Sequence, residues 1–430
     1  MVILAVLVSV AAAQQMSNVE RNRDLDMLKV IANDIKKHYY DTKFHGVDFD
    51  ANVATAKQQI EKSTSNNMAM SHIAALLDTL KDSHTFFLPP QHSYRHDYGI
   101  RYKIIGNQCF VTHVRPGSDA EIKGVKPGDE ILTLNGFDVN RDDLWKIQYV
   151  FSALRPQASM QLSLRDPAGT QREVTIQAKV RDEKRIRDLT GENGGGDIFD
   201  LYRQEETQDH LDRLRYAEYG DELLILKLPE FRYLSPTEVE GLLGKARKHK
   251  SLIIDLRGNP GGLVVTLKYL VGGMFDKEIK IADRVGRKEA KPEVAKPLPN
   301  PFTGKLVVLV DSESASASEL FARVIQLEKR GVVMGDKTAG AVMEAKDYNE
   351  QAGTDTVIFY GASITEWDLI MKDGKSLEKV GVTPDELLLP SPRATASGRD
   401  PVLARAAEEL GVKISSEDAG KVFPFEWPLE

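Results

Sequence analysis

A cluster of serines between positions 314 and 318 is the part of the sequence best suited to nucleophilic chemistry. The run Ser314-Ala-Ser-Ala-Ser-Glu319 follows the apolar run Leu306-Val-Val-Leu-Val310 and precedes a stretch with helical spacing. A small-residue turn from a strand into a helix can expose a serine hydroxyl, and the helix N-terminus supplies N–H groups and a positive dipole. The alternative is that these serines only cap the helix.

A glycine-rich turn after another apolar run could assist such a serine. The turn reads Asp255-Leu-Arg-Gly-Asn-Pro-Gly-Gly262 and follows Leu252-Ile-Ile-Asp255. Two glycines after a strand allow a tight turn that leaves a backbone N–H free. The sequence therefore predicts either one half of an oxyanion hole or a plain loop that leads into the next helix.

A histidine and a glutamate complete the set of candidate groups. His84 follows Ser83 in Leu80-Lys-Asp-Ser-His-Thr-Phe-Phe87, and Glu378 lies in Leu377-Glu-Lys-Val-Gly-Val-Thr-Pro-Asp385. Histidine, whose side chain ordinarily has a pKa of about 6.5, can accept and return a serine proton at neutral pH. Taken singly, a lone histidine and a surface glutamate are more often structural.

The periodicity of apolar residues divides the chain into regions that position these groups. Residues 16–90 are predicted to be helical, because Leu28, Ile31 and Ile35 recur at helical spacing. Residues 91–181 consist of short β-like runs separated by turns. Residues 182–220 are charged and irregular, which predicts a linker or cap.

The second half of the chain has a different pattern. In residues 221–390, continuous apolar runs typical of strands buried on both faces alternate with helical stretches. That alternation predicts a layered α/β core. Residues 391–430 are predicted to be a helical tail.

Composition excludes several classes of protein. The chain has 57 Lys and Arg against 64 Asp and Glu, a formal net charge of −7, which gives no support to nucleic-acid binding. The single cysteine, Cys109, excludes an intramolecular disulfide and a cysteine-rich metal cluster. No metal-binding spacing of histidines is present, so we expect neither a metal nor an organic cofactor.

The N-terminus has the character of a secretory signal. Val2 to Ala13 is a 12-residue apolar run, too short for a membrane span, and it ends in Ala11-Ala-Ala13 before the polar Gln14. A basic n-region is missing. We therefore predict a signal peptide at residues 1–13 and a secreted or periplasmic protein without a membrane span; the alternative is a buried N-terminal helix.

Residues 91–181 resemble a PDZ domain. The resemblance is carried by Tyr98-Gly-Ile-Arg101, Val114-Arg-Pro-Gly-Ser-Asp-Ala120 and, above all, Gly124-Val-Lys-Pro-Gly-Asp-Glu-Ile-Leu-Thr-Leu-Asn-Gly136. It implies that a peptide binds beside an edge strand with its C-terminal carboxylate at the Tyr98, Gly99, Ile100 and Arg101 loop. The alternative is a small β domain without a peptide ligand.

The ordered set of motifs resembles the tail-specific, or C-terminal processing, serine proteases and their tricorn-like relatives. The set runs through D-x-H-T, a PDZ domain, I-I-D-L-R-x-N-P-G-G, S-A-S-A-S-E, G-x-x-T-x-G and G-V-x-P-D. The resemblance implies a ClpP/crotonase-like protease core with an inserted PDZ domain and an N-terminal helical region. It implies Ser316 as the nucleophile and the N–H groups of Gly261 and Ala317 as oxyanion donors.

One position departs from many members of that family. They carry a lysine general base directly after T-x-G, whereas Gly335-Asp-Lys-Thr-Ala-Gly-Ala341 has Ala341 there; Lys337 and Lys346 are out of register. The tricorn-like branch uses a serine–histidine–serine–glutamate tetrad instead. The resemblance then implies His84 as the base that activates Ser316, with Ser83 and Glu378 orienting it.

The resulting hypothesis is a serine endopeptidase that cleaves polypeptides, with positions near C-termini expected, through an acyl-enzyme on Ser316. Two rival hypotheses remain open from the sequence. One is a binding protein of the same fold that takes apolar ligands, as the retinoid-binding proteins of photoreceptors do. The other is a PDZ scaffold that binds peptides beside an inactive protease domain. The sequence does not indicate the oligomeric state.

Overall fold

The computed structural model describes residues 16–90, 92, 94–182, 214–232, 234–353 and 357–427. The predicted signal peptide at 1–13 and most of the predicted linker therefore lie outside the described residues. No helix within these ranges is long and apolar enough to cross a membrane.

The N-terminal region is helical, and its last turn leads to the first strand. The helices α1 (Asn18–His38), α2 (Phe49–Glu61) and α3 (Asn66–Asp78) share one hydrophobic core. Serine side chains cap α1 and α3 by accepting N–H groups of their first turns. The short strand β1 (Phe86–Leu88) follows, so Ser83 and His84 lie in the connection between α3 and β1.

Residues 94–182 form a β-rich unit with its own core. Its elements are β2 (Tyr94–Asp97), β3 (Ile100–Ile105), β4 (Gln108–Val114), α4 (Asp119–Ile122), β5 (Glu130–Leu134), β6 (Phe137–Asp138), α5 (Leu144–Tyr149), β7 (Ser159–Arg165), β8 (Gln171–Gln177) and β9 (Lys179–Asp182). The main sheet has the order β3-β4-β5-β7-β8, with β6 on β5, and β2 pairs with β9. The helix α5 is followed directly by a π-helical turn, Val150–Leu154.

A six-stranded sheet forms the centre of the second half. The strands and helices of this half of the chain, up to residue 387, are β10 (Arg215–Tyr219), β11 (Leu223–Lys227), α6 (Pro236–Ala246), β12 (Ser251–Asp255), α7 (Val264–Gly272), β13 (Ile279–Gly286), β14 (Glu293–Ala295), β15 (Lys305–Val310), α8 (Ala317–Leu327), β16 (Val332–Gly335), β17 (Met343–Ala352), β18 (Ile358–Met371) and β19 (Glu386–Leu387). The central sheet has the order β10-β11-β12-β15-β16-β19 and is parallel except for β10.

Both faces of the central sheet are covered, which explains its continuous apolar runs. One face packs with α6, α7 and α8, and the other packs with the C-terminal helices. Of the C-terminal helices α9 (Pro392–Ala396), α10 (Pro401–Glu409) and α11 (Ser416–Ala419), the last two pack on the sheet. The described residues thus have a mixed α/β fold, as predicted.

The structure corrects the lower boundary of this core. We predicted a linker up to residue 220, but Arg215–Tyr219 is a strand that pairs antiparallel with Leu223–Lys227. The pattern was hidden because this edge strand is only partly buried and carries Arg215 and Glu218 among its apolar residues. Edge strands tolerate such charges.

A second sheet links the N-terminal region to the core. It has the order β1-β18-β13-β14, with β17 on β18. Phe86 of β1 pairs with Ser363 of β18, and Tyr360, Ala362 and Ile364 of β18 pack into the helical core. The antiparallel pairing with β18 therefore fixes the position of the preceding Ser83-His84 turn.

The β-rich unit contacts the loops at the carboxyl ends of the central strands. Lys103 Nζ donates to Asp311 Oδ2 at 2.8 Å, and Ser312 Oγ donates to the carbonyl of Ile104 at 2.6 Å. Arg141 forms an ion pair of 2.7 Å with Asp336. These contacts place one edge of the unit against the turn that leads to Ser316.

Candidate active site

Ser316 occupies a strained turn between β15 and α8. Its backbone has φ 54° and ψ −116°, a conformation rare for a residue with a side chain. Its N–H donates to the carbonyl of Ala341 at 2.8 Å, and it is the N-cap of α8. The hydroxyl is partly exposed and donates no hydrogen bond within the described residues. Ser316 is therefore held by its backbone while its Oγ stays open.

The two neighbouring serines are structural. Ser314 is fully buried, and its Oγ accepts the N–H of Asp311 at 2.9 Å and donates to the carbonyl of Leu256 at 2.8 Å. Ser318 is also fully buried, with its Oγ donating to the carbonyl of Asn259 at 3.0 Å. Only the middle serine of the motif has a hydroxyl that could react.

Ser83, His84 and Glu378 form one continuous chain of hydrogen bonds. The hydroxyl of Ser83 donates to Glu378 Oε2 at 2.8 Å and lies 2.7 Å from His84 Nδ1. Because the single hydroxyl proton points to the carboxylate, Nδ1 carries the proton that is donated to Ser83. The lone pair of the neutral ring is then on Nε2, which has no partner within the described part of the chain.

Further hydrogen bonds hold Ser83, His84 and Glu378 in place. The N–H of Ser83 donates to Glu378 Oε1 at 2.8 Å. Asp82 Oδ1 accepts the N–H groups of His84 and Thr85 and the hydroxyl of Thr365 on β18. The D-x-H-T motif is thus a turn tied to β18, which orients the imidazole.

One peptide unit connects Ser316 to Glu378. The carbonyl of Ala341 accepts the N–H of Ser316, and the N–H of the next residue, Val342, donates to Glu378 Oε2 at 3.0 Å. Ser316 and Glu378 are therefore separated by two hydrogen bonds and the Ala341–Val342 peptide. No hydrogen bond joins the Ser316 hydroxyl to His84 in the part of the chain described.

Burial shifts the ionisation of both groups of the relay. It lowers the pKa of His84 below its ordinary value, an effect that nearby Asp82 partly opposes. At neutral pH the imidazole is thus in the unprotonated form that can act as a base. Burial also raises the pKa of Glu378, against the hydrogen bonds from Ser83 and Val342, which favour the ionised form.

The predicted oxyanion donors differ in their availability. The N–H of Ala317, at the first position of α8, has no acceptor among the described residues. The prediction for Gly261 needs a correction: its N–H donates to the side chain of Asn259 at 2.8 Å. This contact arises because Asn folds back on the N–H two residues later.

The glycine turn nevertheless lies against the nucleophile. A Cβ on Gly261 would lie 2.7 Å from Ser316 Cβ and 3.0 Å from the Ala317 nitrogen. The carbonyl of Gly261 accepts the N–H of Phe231, so the Gly262 N–H of the same planar trans peptide points the opposite way. The Gly262 N–H, which sequence reasoning did not single out, has no acceptor in the described ranges.

The lysines of this region do not replace the missing family base. Lys337 and Lys346 are exposed, and the nitrogen of Lys346 lies over the ring of Tyr348. Lys379, which the sequence reasoning passed over, lies beside the relay with its Nζ 3.8 Å from Glu378 Oε1, and its side chain is half exposed. It can therefore act on the charge of Glu378 from the solvent side.

The predicted peptide-binding loop of the β-rich unit is partly occupied by the chain itself. Gly99 has φ +70°, and its N–H donates to Asp97 Oδ1 at 2.9 Å. Tyr98 donates its hydroxyl to the carbonyl of Gln157 at 2.5 Å, and Ile100 is buried. The guanidinium of Arg101 lies 5.2 Å from the ring centre of Trp427. The Gly99 amide is therefore already engaged by the chain itself, and the binding of a peptide carboxylate at this loop stays a prediction.

The polar groups around Ser316 are not arranged as metal ligands. Within the described residues there is no group of three or more His, Cys, Asp or Glu side chains that could hold a metal ion. The groups present are instead those of acyl-transfer chemistry: a hydroxyl, an imidazole and two backbone N–H groups.

Known proteins give an independent view of the chain. It is 26% identical over 292 residues to the tail-specific protease of Haemophilus influenzae, covering 62% of this chain and 38% of the relative. It is 26% identical over 281 residues to the carboxyl-terminal-processing protease of a Picosynechococcus species, covering 64% of this chain and 60% of the relative. The chain thus spans less than two thirds of the length of either relative.

The fold is shared with a solved structure. Mature CPAF, solved in complex with lactacystin, superposes with a TM-score of 0.65 at 16% identity, covering 88% of this chain and 96% of CPAF. Residues 222–388 match peptidase family S41, a range that includes Ser316, Ala341 and Glu378. Together with the two sequence relatives, this match confirms the predicted resemblance. Through residues 222–388, the chain is thus similar to peptidase family S41.

Proposed function

We propose that the chain is a serine-type endopeptidase in which Ser316 forms the acyl-enzyme and His84 is the general base. The hydrogen-bonded chain from His84 through Ser83 to Glu378 carries this proposal. It leaves the basic Nε2 open, and it is tied to the Ser316 backbone through the Ala341–Val342 peptide. Relatives named as proteases support the same reaction class.

The roles of these groups follow the order of the reaction. Ser316 Oγ attacks the scissile carbonyl while His84 Nε2 takes its proton. The imidazolium that forms keeps its Nδ1–H on Ser83, whose hydroxyl donates to the Glu378 carboxylate, so negative charge stabilises the new cation across one hydroxyl. His84 then returns the proton to the leaving amine, and water activated by the same nitrogen releases the acyl group.

The developing oxyanion lies at the N-terminus of α8. The N–H of Ala317 is the first donor, and we assign the second to Gly262 in place of Gly261. A Cβ on Gly261 would lie 2.7 Å from Ser316 Cβ, so the peptide that carries the Gly262 N–H begins at a residue in close contact with Ser316. Donors fixed before the reaction stabilise the oxyanion without reorganising, and such stabilisation often contributes most to the catalysis of acyl transfer.

The proposed substrates and domain types follow from the sequence resemblance. The proposed substrates are polypeptides cleaved near their C-termini, bound in part at a PDZ domain formed by the β-rich unit, on a ClpP/crotonase-like core. Because Asp97 already occupies the Gly99 amide, the loop offers a ligand carboxylate fewer donors than we predicted. The N-terminal run supports secretion or a periplasmic location.

A fluorophosphonate probe tests the reaction class directly. The full chain is incubated with the probe and with denatured casein, and both the labelled peptide and the new casein termini are identified by mass spectrometry. We expect the label on Ser316 and internal cleavage of casein. A folded protein that neither reacts with the probe nor cleaves casein would instead be a non-catalytic binding relative.

A further inference from the structure

The side chain of Glu319 connects three segments of the active site. It is fully buried in the first turn of α8, where no solvent can satisfy its charge. Its Oε1 accepts the hydroxyl of Thr338 at 2.5 Å and the N–H of Gly340 at 2.8 Å. Its Oε2 accepts the N–H groups of Ala341 at 2.9 Å and Ser316 at 3.1 Å.

Four donors from both sides of the site thus converge on one carboxylate. One is the nucleophile's own N–H, and three come from residues 338–341, the segment that leads to the Ala341–Val342 peptide. That peptide in turn contacts Ser316 and Glu378. Glu319 therefore sets the separation between the nucleophile and the segment that carries the glutamate of the relay.

On the basis of the proposed function, we propose that Glu319 is a positioning residue that aligns Ser316 with the His84 relay. It does not touch the substrate. It holds the strained φ of Ser316 and the Ala341 segment in one arrangement, so that Oγ lies where His84 Nε2 can reach it. A misplacement of about 1 Å at such a contact can reduce the rate by about 10²-fold.

The chemistry of the four donors explains why a carboxylate stands here. An ionised carboxylate only accepts hydrogen bonds, whereas the amide of glutamine brings two donors of its own. In Glu319→Gln, the NH₂ group would face N–H or O–H donors on one side. The Ser316 turn or the 338–341 segment would have to shift to relieve that conflict.

Electrostatics alone predicts the opposite effect of the same substitution. A negative charge in the first turn of α8 opposes the oxyanion that forms at that helix end. Neutralising Glu319 would then accelerate acylation. The sign of the rate change therefore separates positioning from a purely electrostatic influence.

The test compares Glu319→Gln with Glu328→Gln, a matched carboxylate-to-amide change at the far end of α8, where Glu328 pairs with Lys277 and Lys372. Peptide hydrolysis, the rate of fluorophosphonate labelling of Ser316 and the melting temperature are measured at pH 8 on folded protein. We expect kcat and the labelling rate of Glu319→Gln to fall about 10²-fold with KM within about threefold, and Glu328→Gln to match the wild type.

A milder variant keeps the test valid if Glu319→Gln does not fold. Thr338→Val removes one donor to Glu319 and should lower kcat roughly tenfold, the scale of one hydrogen bond to a charged group. A folded Glu319→Gln or Thr338→Val protein with wild-type kcat and labelling rate, even with a lower melting temperature, would overturn the inference. A wild-type protein that neither labels nor hydrolyses peptides would overturn the proposed function on which it rests.

Discussion

The glycine turn beside Ser316 and the loop at Tyr98–Arg101 look alike in sequence, but the two regions differ in which hydrogen-bonding groups they leave without a partner in the described residues. In each, an Asx residue accepts the N–H of the glycine two residues later: Asn259 that of Gly261, and Asp97 that of Gly99. Around Ser316, however, the hydroxyl proton, His84 Nε2 and the Ala317 N–H have no partner among the described residues. At Gly99, an internal carboxylate takes one of the donors that a ligand carboxylate would need.

This difference distinguishes a site whose reactive atoms are free from a loop in which the chain's own side chain already accepts a backbone N–H. Around Ser316 the carboxylates of Glu319 and Glu378 each accept several hydrogen bonds, and the atoms that would react are free. Polar groups in proteins are nearly always paired when buried, so unpaired atoms beside such well-bonded groups point to a ligand or a reaction. We therefore expect large effects of substitutions at the first site and small ligand effects at the second.

Loss of the nucleophile should have the largest effect. Ser316→Ala should lower kcat by at least ~10³-fold, because only binding and oxyanion stabilisation remain. Ser314→Ala and Ser318→Ala remove buried hydrogen bonds and should lower the melting temperature while folded protein keeps most of its activity. Peptide hydrolysis normalised to folded protein checks this, and an inactive Ser314 or Ser318 variant beside an active Ser316→Ala would mean that the wrong serine has been assigned.

Loss of the relay behind His84 should have the next largest effect. Ser83→Ala and Glu378→Gln leave the imidazole without the partner that holds its tautomer, and we expect kcat to fall by about 10²-fold or more in each. The double variant should be little worse than either single one, since the residues act as a unit. Additive losses measured by steady-state kinetics would show instead that the two residues act separately.

The pH dependence should reflect the buried carboxylates more than the imidazole. Burial raises the pKa of Glu319 to about 7 but lowers that of His84. As pH falls, Glu319 is protonated and loses acceptor capacity before His84 is protonated, so kcat/KM should begin to fall near pH 7. In Glu319→Gln this limb should move to lower pH, where Glu378 and His84 titrate. A pH profile of kcat/KM that is unchanged in the variant would contradict this order.

The smallest effect is expected at the Tyr98–Arg101 loop. Asp97 already occupies the Gly99 amide. Amidation of a peptide's C-terminus should therefore weaken its binding to the full-length Ser316→Ala protein by roughly threefold or less. That effect is smaller than the usual cost of leaving a buried hydrogen-bonding group unpaired. Asp97→Ala frees that amide and should increase the preference for the free acid. Calorimetry with acid and amide peptides checks both; a strong preference in the unsubstituted loop would show that the ligand displaces Asp97.

The sequence could predict the central strands because they are buried on both faces. The apolar runs near 223, 252, 306 and 332 coincide with strands of the six-stranded sheet. The edge strand Arg215–Tyr219 and the strand β17 were missed, because partly exposed strands carry polar residues that dilute the pattern. Their existence depends on pairing with distant segments.

The site could be predicted in its residue types but not in its hydrogen bonds. Motif order pointed to Ser83, His84 and Glu378, and the structure joins these three across 295 residues of chain. The spacing of Asn259 to Gly261 and of Asp97 to Gly99 was a local signal for the occupied amides. Nothing local indicates that Glu319 binds residues 338–341, since that contact forms only when β16 packs beside α8.

The central claim is that His84, and not a lysine, is the base that activates Ser316. It is tested most directly by the hydrolysis rate of folded His84→Ala, measured beside Lys379→Ala, Lys337→Ala and Lys346→Ala. Removing the base should be nearly as damaging as removing the nucleophile, so we predict a loss of at least ~10³-fold for His84→Ala. The three lysine variants should stay within about threefold of the wild type, because these lysines are exposed and none forms a hydrogen bond with Ser316 in the described residues. Full activity in folded His84→Ala, with loss of activity in any of the lysine variants, would contradict it.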